Sequence, residues 1–261
     1  MDNRQHLIIR VGAGSLSFLS GTAEDIAYHP YALNSSIAMA ANMREALRTM
    51  PMLSNDTYRT LVMVDSPVLM IPVCLFDEKE QDTLYRHAFT RQEQQTVMNT
   101  VLPDLNSVAV FSIQKDMRNV IDDTFGSVRY LPVCSPVWRH LHDRSYTGQR
   151  QKLYGYFHDR RLDIFSFAQM RFRFYNSYAV DNAHDALYFL LAVWKSLGLA
   201  PDHDELHLAG DFADKDELST EVQKYVKRVF FINPSGEFNR AAITQVSGIP
   251  YDLVTLYIKG R

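Results

Sequence analysis

Two segments of this chain share one pattern, in which a strand, a tight polar turn and a second strand follow one another. The first is Leu7–Ala23, LIIRVGAGSLSFLSGTA, and the second is Leu153–Val180, LYGYFHDRRLDIFSFAQMRFRFYNSYAV. A helix-compatible stretch follows each of them. The same hairpin in both halves of a chain predicts an internally duplicated fold.

The remaining strands and helices are predicted from residue periodicity and from turn residues. Strands are expected at Leu7–Val11, Leu16–Ser20, Tyr58–Asp65, Val68–Pro72, Ser107–Ser112, Val128–Val133, Leu153–Phe157, Leu162–Ala168, Phe172–Ala179, Glu205–Leu208 and Val229–Ile232. Helices are expected from Asn34 or Ser35 to about Arg48 and at Asp77–His87, Lys115–Phe125, Pro136–His142, His184–Leu197 and Lys215–Val226, and a further apolar segment follows Gly248. Tyr58–Asp65 and Val68–Pro72 are expected to pair across the turn Asp65-Ser66-Pro67.

Each half reads as a strand-rich hairpin, a helix, a strand, a helix and a strand. This order predicts an α/β protein with two mixed sheets flanked by helices. A polar stretch, DRSYTGQRQK at residues 143–152, separates the halves. Because it is rich neither in Pro nor in Gly and Ser, it predicts a crossing between halves rather than a flexible linker. The predicted halves are residues 1–145 and 146–261.

Composition narrows the class of partner and the compartment. The 261 residues carry a formal net charge of −3. The chain therefore has no strong positive electrostatic field that would attract nucleic acid or an anionic membrane. No apolar run reaches the roughly 18 residues of a membrane span, and the beginning MDNRQHLIIR lacks the features of a signal peptide. We expect a cytoplasmic protein without membrane insertion.

The two cysteines, Cys74 and Cys134, each follow Pro-Val in an apolar setting. This setting predicts buried free thiols in a reducing compartment rather than a disulfide.

The usual patterns of catalytic and metal sites are incomplete. The turn Gly12-Ala13-Gly14-Ser15 can offer backbone N–H groups to an anion, but a hairpin turn that needs positive φ is the favoured interpretation. The pairs His140/His142 and His203/His207 are expected to be surface polar residues, so no metal site is predicted. The hydrolase pattern GxSxG does not occur, so a Ser–His–Asp site is disfavoured.

Three stretches resemble segments of the actin-like protein of type IV pilus assembly. They are YRTLVMVDSPVLMIPVCLF at Tyr58–Phe76, LNSVAVFSIQKDMRNVIDDTFG at Leu105–Gly126 and ELHLAGDF at Glu205–Phe212. The whole chain is also similar to an uncharacterised family, domain of unknown function 3822. The resemblance implies a duplicated actin-like ATPase fold, in which each half has a ribonuclease-H-like core.

The resemblance also implies where nucleotide chemistry would lie. Active members of the actin-like class have an acid in the first strand–turn, Asp-x-Gly in the second turn, and two glycines on the adenosine side. Here the corresponding residues are Arg10, then His158-Asp159-Arg160-Arg161, then Gly210 followed by Asp211. If a nucleotide binds, the contacts implied by the resemblance are Gly12, Gly14, Ser15, Asp159, Gly210 and Asp211, with ATP and magnesium as the cofactor. Because the first acid is missing, we expect no hydrolysis, no catalytic residue and no cofactor.

Four arginines suggest a different use of the fold. Arg171 and Arg173 share one face of a strand, and Phe172 and Phe174 share the other. Together with Arg160 and Arg161 they are interpreted as a site for an anion or a protein partner; the alternative is the solvated face of a meander. The sequence therefore predicts a non-catalytic interaction or scaffold protein with an unknown protein partner. The alternative is a magnesium-dependent, nucleotide-binding actin-like ATPase.

Overall fold

The computed structural model describes residues 6–21, 26–54, 59–89, 94–146, 149–168 and 171–259. The chain divides into two compact units. Unit 1 comprises Met1–Leu102 and Ser107–Val133, and unit 2 comprises Pro103–Asn106 and Cys134–Arg261. The division falls after Val133 rather than after residue 145, because the helix that begins at Ser135 packs against the last helix of unit 2. Residues 134–145, which the sequence analysis placed in the first half, therefore belong to unit 2.

Unit 1 contains two sheets and three α-helices among its described residues. The strands are β1 His6–Val11, β2 Leu16–Gly21, β3 Ile26–Tyr31, β4 Arg59–Val64, β5 Leu69–Pro72, β6 Gln95–Leu102, β7 Ser107–Gln114 and β8 Val128–Pro132. The helices are α1 Met39–Thr49, α2 Gln81–Ala88 and α3 Lys115–Thr124. The larger sheet has the order β3-β2-β1-β4-β8, and the smaller one has the order β5-β7-β6.

The predicted pairing of Tyr58–Asp65 with Val68–Pro72 does not occur. β4 lies in the larger sheet, parallel to both β1 and β8, whereas β5 is antiparallel to β7 in the smaller sheet. The turn at Asp65-Ser66-Pro67 thus carries the chain from one sheet to the other. The smaller sheet has its own core of Ile71, Tyr85, Val108 and Val110.

Unit 2 repeats the strand order of the larger sheet. Its strands are β9 Lys152–His158, β10 Arg161–Ala168, β11 Arg171–Ala179, β12 Glu205–Gly210 and β13 Val229–Phe231. Its helices are α4 Ser135–Ser145, α5 Ala183–Ser196, α6 Lys215–Val222, α7 Pro234–Glu237 and α8 Tyr251–Lys259. The order β11-β10-β9-β12-β13 has the same strand directions as β3-β2-β1-β4-β8. The predicted duplicated α/β fold is confirmed.

Helix α1 begins later than predicted. The side chain of Asn42 turns back to Asn34: its Nδ2 donates to the carbonyl of Asn34 at 3.1 Å, and its Oδ1 accepts from the Asn34 N–H at 2.8 Å. These bonds hold the residues just after Asn34 in a non-helical turn that packs against the start of the helix. The helix therefore begins at Met39.

One core of unit 2 packs α5 and α6 against the central strands. It includes Leu153, Ile164, Leu190, Trp194 and Leu208. Asn182 caps α5 by accepting from the N–H of Asp185 at 2.9 Å. In the part of the chain that the structure describes, no helix has both the length and the apolar character needed to cross a bilayer.

Candidate functional site

The first predicted site element is the β1–β2 hairpin. The N–H of Gly12 donates to the carbonyl of Ser15 at 2.8 Å, which leaves Ala13 and Gly14 exposed at the tip. The tip does not need glycine for its conformation, because neither Gly12 nor Gly14 has a positive φ. Behind it, the buried guanidinium of Arg10 donates to Oγ of Ser15 at 3.2 Å. A fixed cation therefore lies beside the turn for which the resemblance implies an acid.

The β9–β10 hairpin is the second predicted element. His158 pairs with Arg161, so Asp159 and Arg160 form a two-residue turn with φ values of 43° and 60°. Two consecutive positive φ values are typical of a type I′ hairpin turn. The exposed side chain of Arg160 is paired with Asp181, whereas Oδ2 of Asp159 lies 3.6 Å from Nδ1 of His158. The Asp159 carboxylate is thus directed towards a buried imidazole.

The third predicted element is the turn after β12. Gly210 has a φ of 91°, and a Cβ placed on it would lie 2.0 Å from the carbonyl oxygen of Phe157. Only glycine allows β12 to approach β9 this closely with this backbone conformation. Since Gly210 pairs with Phe157 in parallel strands, it lies at the same end of the sheet as Asp159. Asp211 is exposed immediately after it.

A small pocket lies beside Gly210 within unit 2. The rings of Phe157 and Phe212 stack there with centroids 4.6 Å apart. Nζ of Lys215 lies 5.0 Å from the centroid of the Phe231 ring. The pocket therefore combines aromatic faces with one cation.

The four predicted arginines do not lie together. Arg161 pairs with Ala179 at one end of the β10–β11 hairpin, and Arg171 pairs with Ala168 at the other end. At about 3.3 Å per residue, the two ends are roughly 20 Å apart. The alternation in β11 is as predicted, because Arg171 and Arg173 are exposed while their phenylalanine neighbours are half-buried.

Besides Arg160, which pairs with Asp181, two of these arginines already have partners. Both Nε and Nη2 of Arg161 donate to Oγ of Ser177, at 3.0 and 2.8 Å. Arg173 donates to the carbonyl of Leu197 at 2.6 Å and also binds Gln151.

A buried cluster that the sequence did not reveal lies next to the second hairpin. Sγ of Cys134 is 2.6 Å from Oδ2 of Asp163 and 3.3 Å from Nε2 of His158, and the last two atoms are 3.6 Å apart. The exposed fractions of Cys134, His158 and Asp163 are 3%, 7% and 1%. Asp163 pairs with Tyr156, two residues before His158, so their side chains share one face of the sheet.

The protonation of this cluster follows from burial and from its charges. Burial raises the pKa of the Cys134 thiol, and the Asp163 carboxylate raises it further. Burial, the largest influence, lowers the pKa of His158, but its interactions with Cys134 and Asp163 and a hydrogen bond to Asp159 outweigh burial, so the pKa is raised. Burial opposes ionisation of Asp163 as well, yet His158 lowers its pKa. The arrangement is a neutral thiol that donates to an imidazolium–carboxylate pair.

The structure differs from the sequence predictions for two histidines and one cysteine. His140 and His142 are buried in α4 rather than at the surface. Cys134 is buried and free as predicted, but Cys74 is exposed, because it lies in a short 3₁₀ turn at the end of β5. The only sequence signal for the cluster was an acid, Asp163, inside the apolar strand LDIFSF.

Comparisons with known proteins agree with this fold. Residues 2–229 match the family described as protein of unknown function, DUF3822, and no curated protein matches. A Bacteroides thetaiotaomicron VPI-5482 protein with an actin-like ATPase fold and unknown function superposes with a TM-score of 0.82 and 26% identity, covering 94% of this chain and 96% of that one. The PilM–PilN type IV pilus biogenesis complex gives a TM-score of 0.54 and 13% identity over 98% of each chain, which is a likeness of fold. With the duplicated sheets, these matches show that the chain belongs to the DUF3822 family and has the actin-like ATPase fold.

Proposed function

We propose that this chain is a non-catalytic member of the actin-like class, which binds a protein partner and does not hydrolyse ATP. The observation that carries the proposal is the buried Arg10 beside the first turn. Arg10 supports the loss of hydrolysis, and the edge strand β11 supports the use of a protein partner.

The loss of hydrolysis follows from charge. Magnesium is held by carboxylates and water, and phosphoryl transfer depends on that ion to neutralise developing charge. Arginine stays protonated in proteins, and Arg10 is only 4% exposed and bonded to Ser15. A fixed positive charge there repels a divalent cation. In the second turn, the Asp159 carboxylate faces His158 instead.

A protein partner is supported by the surface of β11. This strand is at the edge of the described sheet of unit 2, a position at which a sheet can pair with another chain. The exposed Arg171 adds positive charge to this edge, which fits an acidic segment of a partner. The structurally similar PilM was solved with another protein, PilN. Because the described cysteines are free, a reducing compartment such as the cytoplasm suits this role.

The catalytic branch is tested by thermal unfolding with and without millimolar ATP and magnesium, and with ADP. A ligand present at one hundred times its Kd stabilises a protein by about 2.7 kcal/mol, which raises the Tm by a few degrees. We expect no magnesium-dependent change in Tm and no phosphate release. A clear rise in Tm with phosphate release would contradict the proposal.

The interaction branch is tested by partner capture from the native host. Arg171→Glu should keep the wild-type Tm and lose the partner, because the reversed charge repels an acidic segment. Lys224→Glu is the control, since it reverses another exposed charge of unit 2 outside β11. Equal capture by Arg171→Glu and by wild type would exclude this edge as the partner site.

The second candidate is magnesium-dependent nucleotide binding, favoured by the aromatic pocket beside Gly210. It predicts a rise in Tm with ATP and magnesium that disappears in Asp159→Ala and in Asp211→Ala. Asp202→Ala is the control, because this exposed carboxylate pairs with Lys227 away from both turns. A rise that survives both substitutions would exclude these carboxylates from nucleotide binding.

A further inference from the structure

We propose that Cys134, His158 and Asp163 form a binding site for a divalent transition metal of the zinc type. The three residues supply a thiol sulfur, an imidazole nitrogen and a carboxylate oxygen, whose ligand atoms all lie within 4.8 Å of one another. None of the three ligands is a predicted nucleotide contact, and the site lies beneath the second hairpin; Asp159, which is such a contact, lies only behind the imidazole.

The spacing of the three atoms approaches that of a tetrahedral zinc site. Bonds of about 2.3 Å to sulfur and about 2.0–2.1 Å to nitrogen or oxygen place tetrahedral ligand atoms roughly 3.3–3.6 Å apart. The distance from Sγ to Nε2 is 3.3 Å and that from Nε2 to Oδ2 is 3.6 Å, so both agree. Only the distance from Sγ to Oδ2, 2.6 Å in the hydrogen-bonded state, must increase on metal binding.

Charge and ligand type select the metal. A thiolate, a carboxylate and a neutral imidazole around a divalent cation sum to zero, so the loaded site has no net charge to bury. Thiolate and imidazole ligands favour zinc and similar metals over magnesium and calcium, which prefer oxygen. The deep burial of all three residues also disfavours magnesium, which keeps several of its waters.

A second observation concerns the far side of the imidazole. Nδ1 of His158 is buried and has no hydrogen-bond partner among the described residues, and Oδ2 of Asp159 lies 3.6 Å from it. A carboxylate behind the free nitrogen of a ligating histidine is the usual second layer of a zinc site, since it fixes the tautomer and the ring orientation. The ring of Tyr156 stacks on the imidazole, with centroids 4.9 Å apart, and holds its plane.

Nucleophilic catalysis explains the same residues less well. The separation of 3.3 Å between Cys134 and His158 suits a nucleophile and its base. However, the thiol is 3% exposed and donates to Asp163, whose charge opposes thiolate formation. A substrate has no access to a sulfur in this position, whereas a metal ion can be enclosed as the unit folds.

The first experiment uses cobalt as a spectroscopic probe in the Cys74→Ser protein. The sequence contains two cysteines, so Cys134 is the only thiol left. The protein is treated with a chelator and titrated with Co²⁺. We expect thiolate-to-cobalt charge-transfer absorbance and tetrahedral d–d bands that saturate at one Co²⁺ per chain and are displaced by Zn²⁺. Absence of charge transfer in the folded protein overturns the proposal without any substitution in the cluster.

The second experiment measures bound zinc by elemental analysis after zinc loading and desalting. Cys134→Ser and Asp163→Asn should lose the equivalent of one Zn²⁺ per chain, and Cys74→Ser should retain it. Asp159→Asn should weaken zinc affinity by about 10- to 100-fold, as expected for a residue that orients a ligand. Unchanged zinc content in a folded Cys134→Ser protein would refute the site. If the cluster variants do not fold, the cobalt titration of Cys74→Ser decides the question.

Discussion

The hydroxyl of Tyr156 donates to Oδ2 of Asp252 at 2.8 Å, and the backbone N–H of Asp252 lies 3.3 Å from the same hydroxyl oxygen. Both side chains are buried, and 96 residues separate them in the sequence. Asp252 lies in the first turn of α8, where a negative charge is favourable. The pair therefore fixes the last helix of the chain to the central strand of unit 2, on the strand face that also carries His158.

Tyr156→Phe tests this connection. The substitution removes two hydrogen bonds and keeps the ring that stacks on His158. Because one of the bonds is to a buried carboxylate, we expect the free energy of unfolding to fall by about 1.5–3 kcal/mol. Urea denaturation measures the change. Tyr188→Phe is the control, since Tyr188 is 68% exposed, and it should change stability by less than about 0.5 kcal/mol. Equal effects of the two substitutions would show that the pair contributes no stability.

Gly210→Ala tests whether this glycine is required by the fold. The added methyl would meet the backbone of Phe157 at 2.0 Å, and φ is 91°. Neither strand can move without breaking its sheet pairing, so a loss of more than about 3 kcal/mol is expected. Gly236→Ala is the matched control, because a methyl there meets nothing within 4 Å. If Gly210→Ala unfolds at the wild-type Tm, the close approach of β12 to β9 is contradicted.

The two thiols should react at very different rates. Cys74 is exposed, whereas Cys134 is 3% exposed and its pKa is raised by burial. Since the thiolate is the reactive form, an aromatic disulfide reagent should titrate one thiol per native chain quickly, and the second only in denaturant. Cys74→Ser should remove the fast phase. A fast phase that remains in Cys74→Ser would show that Cys134 is accessible.

The sequence predicted the two hairpins because their strands alternate and their turns are polar. It did not predict β3 or β6. β3 contains Pro30 and exposed residues, and β6 mixes polar and apolar residues without a fully buried face. Their pairing is provided by neighbouring strands rather than by their own pattern.

The buried cluster next to the second hairpin could not be predicted from the sequence for a related reason. Cys134, His158 and Asp163 come from a helix start and two strands, and only the hairpin register and the docking of α4 bring them together. The three residues do not form a short sequence motif that would predict their contact. By contrast, Arg10 could be picked out from the sequence, because the resemblance to the actin-like class implies an acid in the first strand.

Glu237 gives a pH-dependent test of how unit 2 is stabilised. Its carboxylate is 6% exposed and accepts from His140 at 2.7 Å and from Tyr251 at 2.8 Å, and it is also paired with Arg144. Burial raises the pKa of Glu237, but the hydrogen bonds from His140 and Tyr251 outweigh it, so the pKa lies below its usual value. A lowered pKa means that the folded state favours the ionised carboxylate.

The stability that Glu237 contributes should therefore decrease towards acid pH. The contribution of Glu237 is complete above the unfolded pKa, roughly 4.3, and is lost as the pH falls through the lower folded pKa. Glu237→Gln should therefore reduce the free energy of unfolding by about 2 kcal/mol at pH 7. The difference from wild type should shrink as the pH falls below about 4. Denaturant titrations between pH 7 and pH 3 measure it, with Glu221→Gln as the control, because Glu221 pairs with the exposed Lys224. A difference that stays constant or grows towards acid pH would mean that the Glu237 carboxylate is not preferentially ionised in the folded protein.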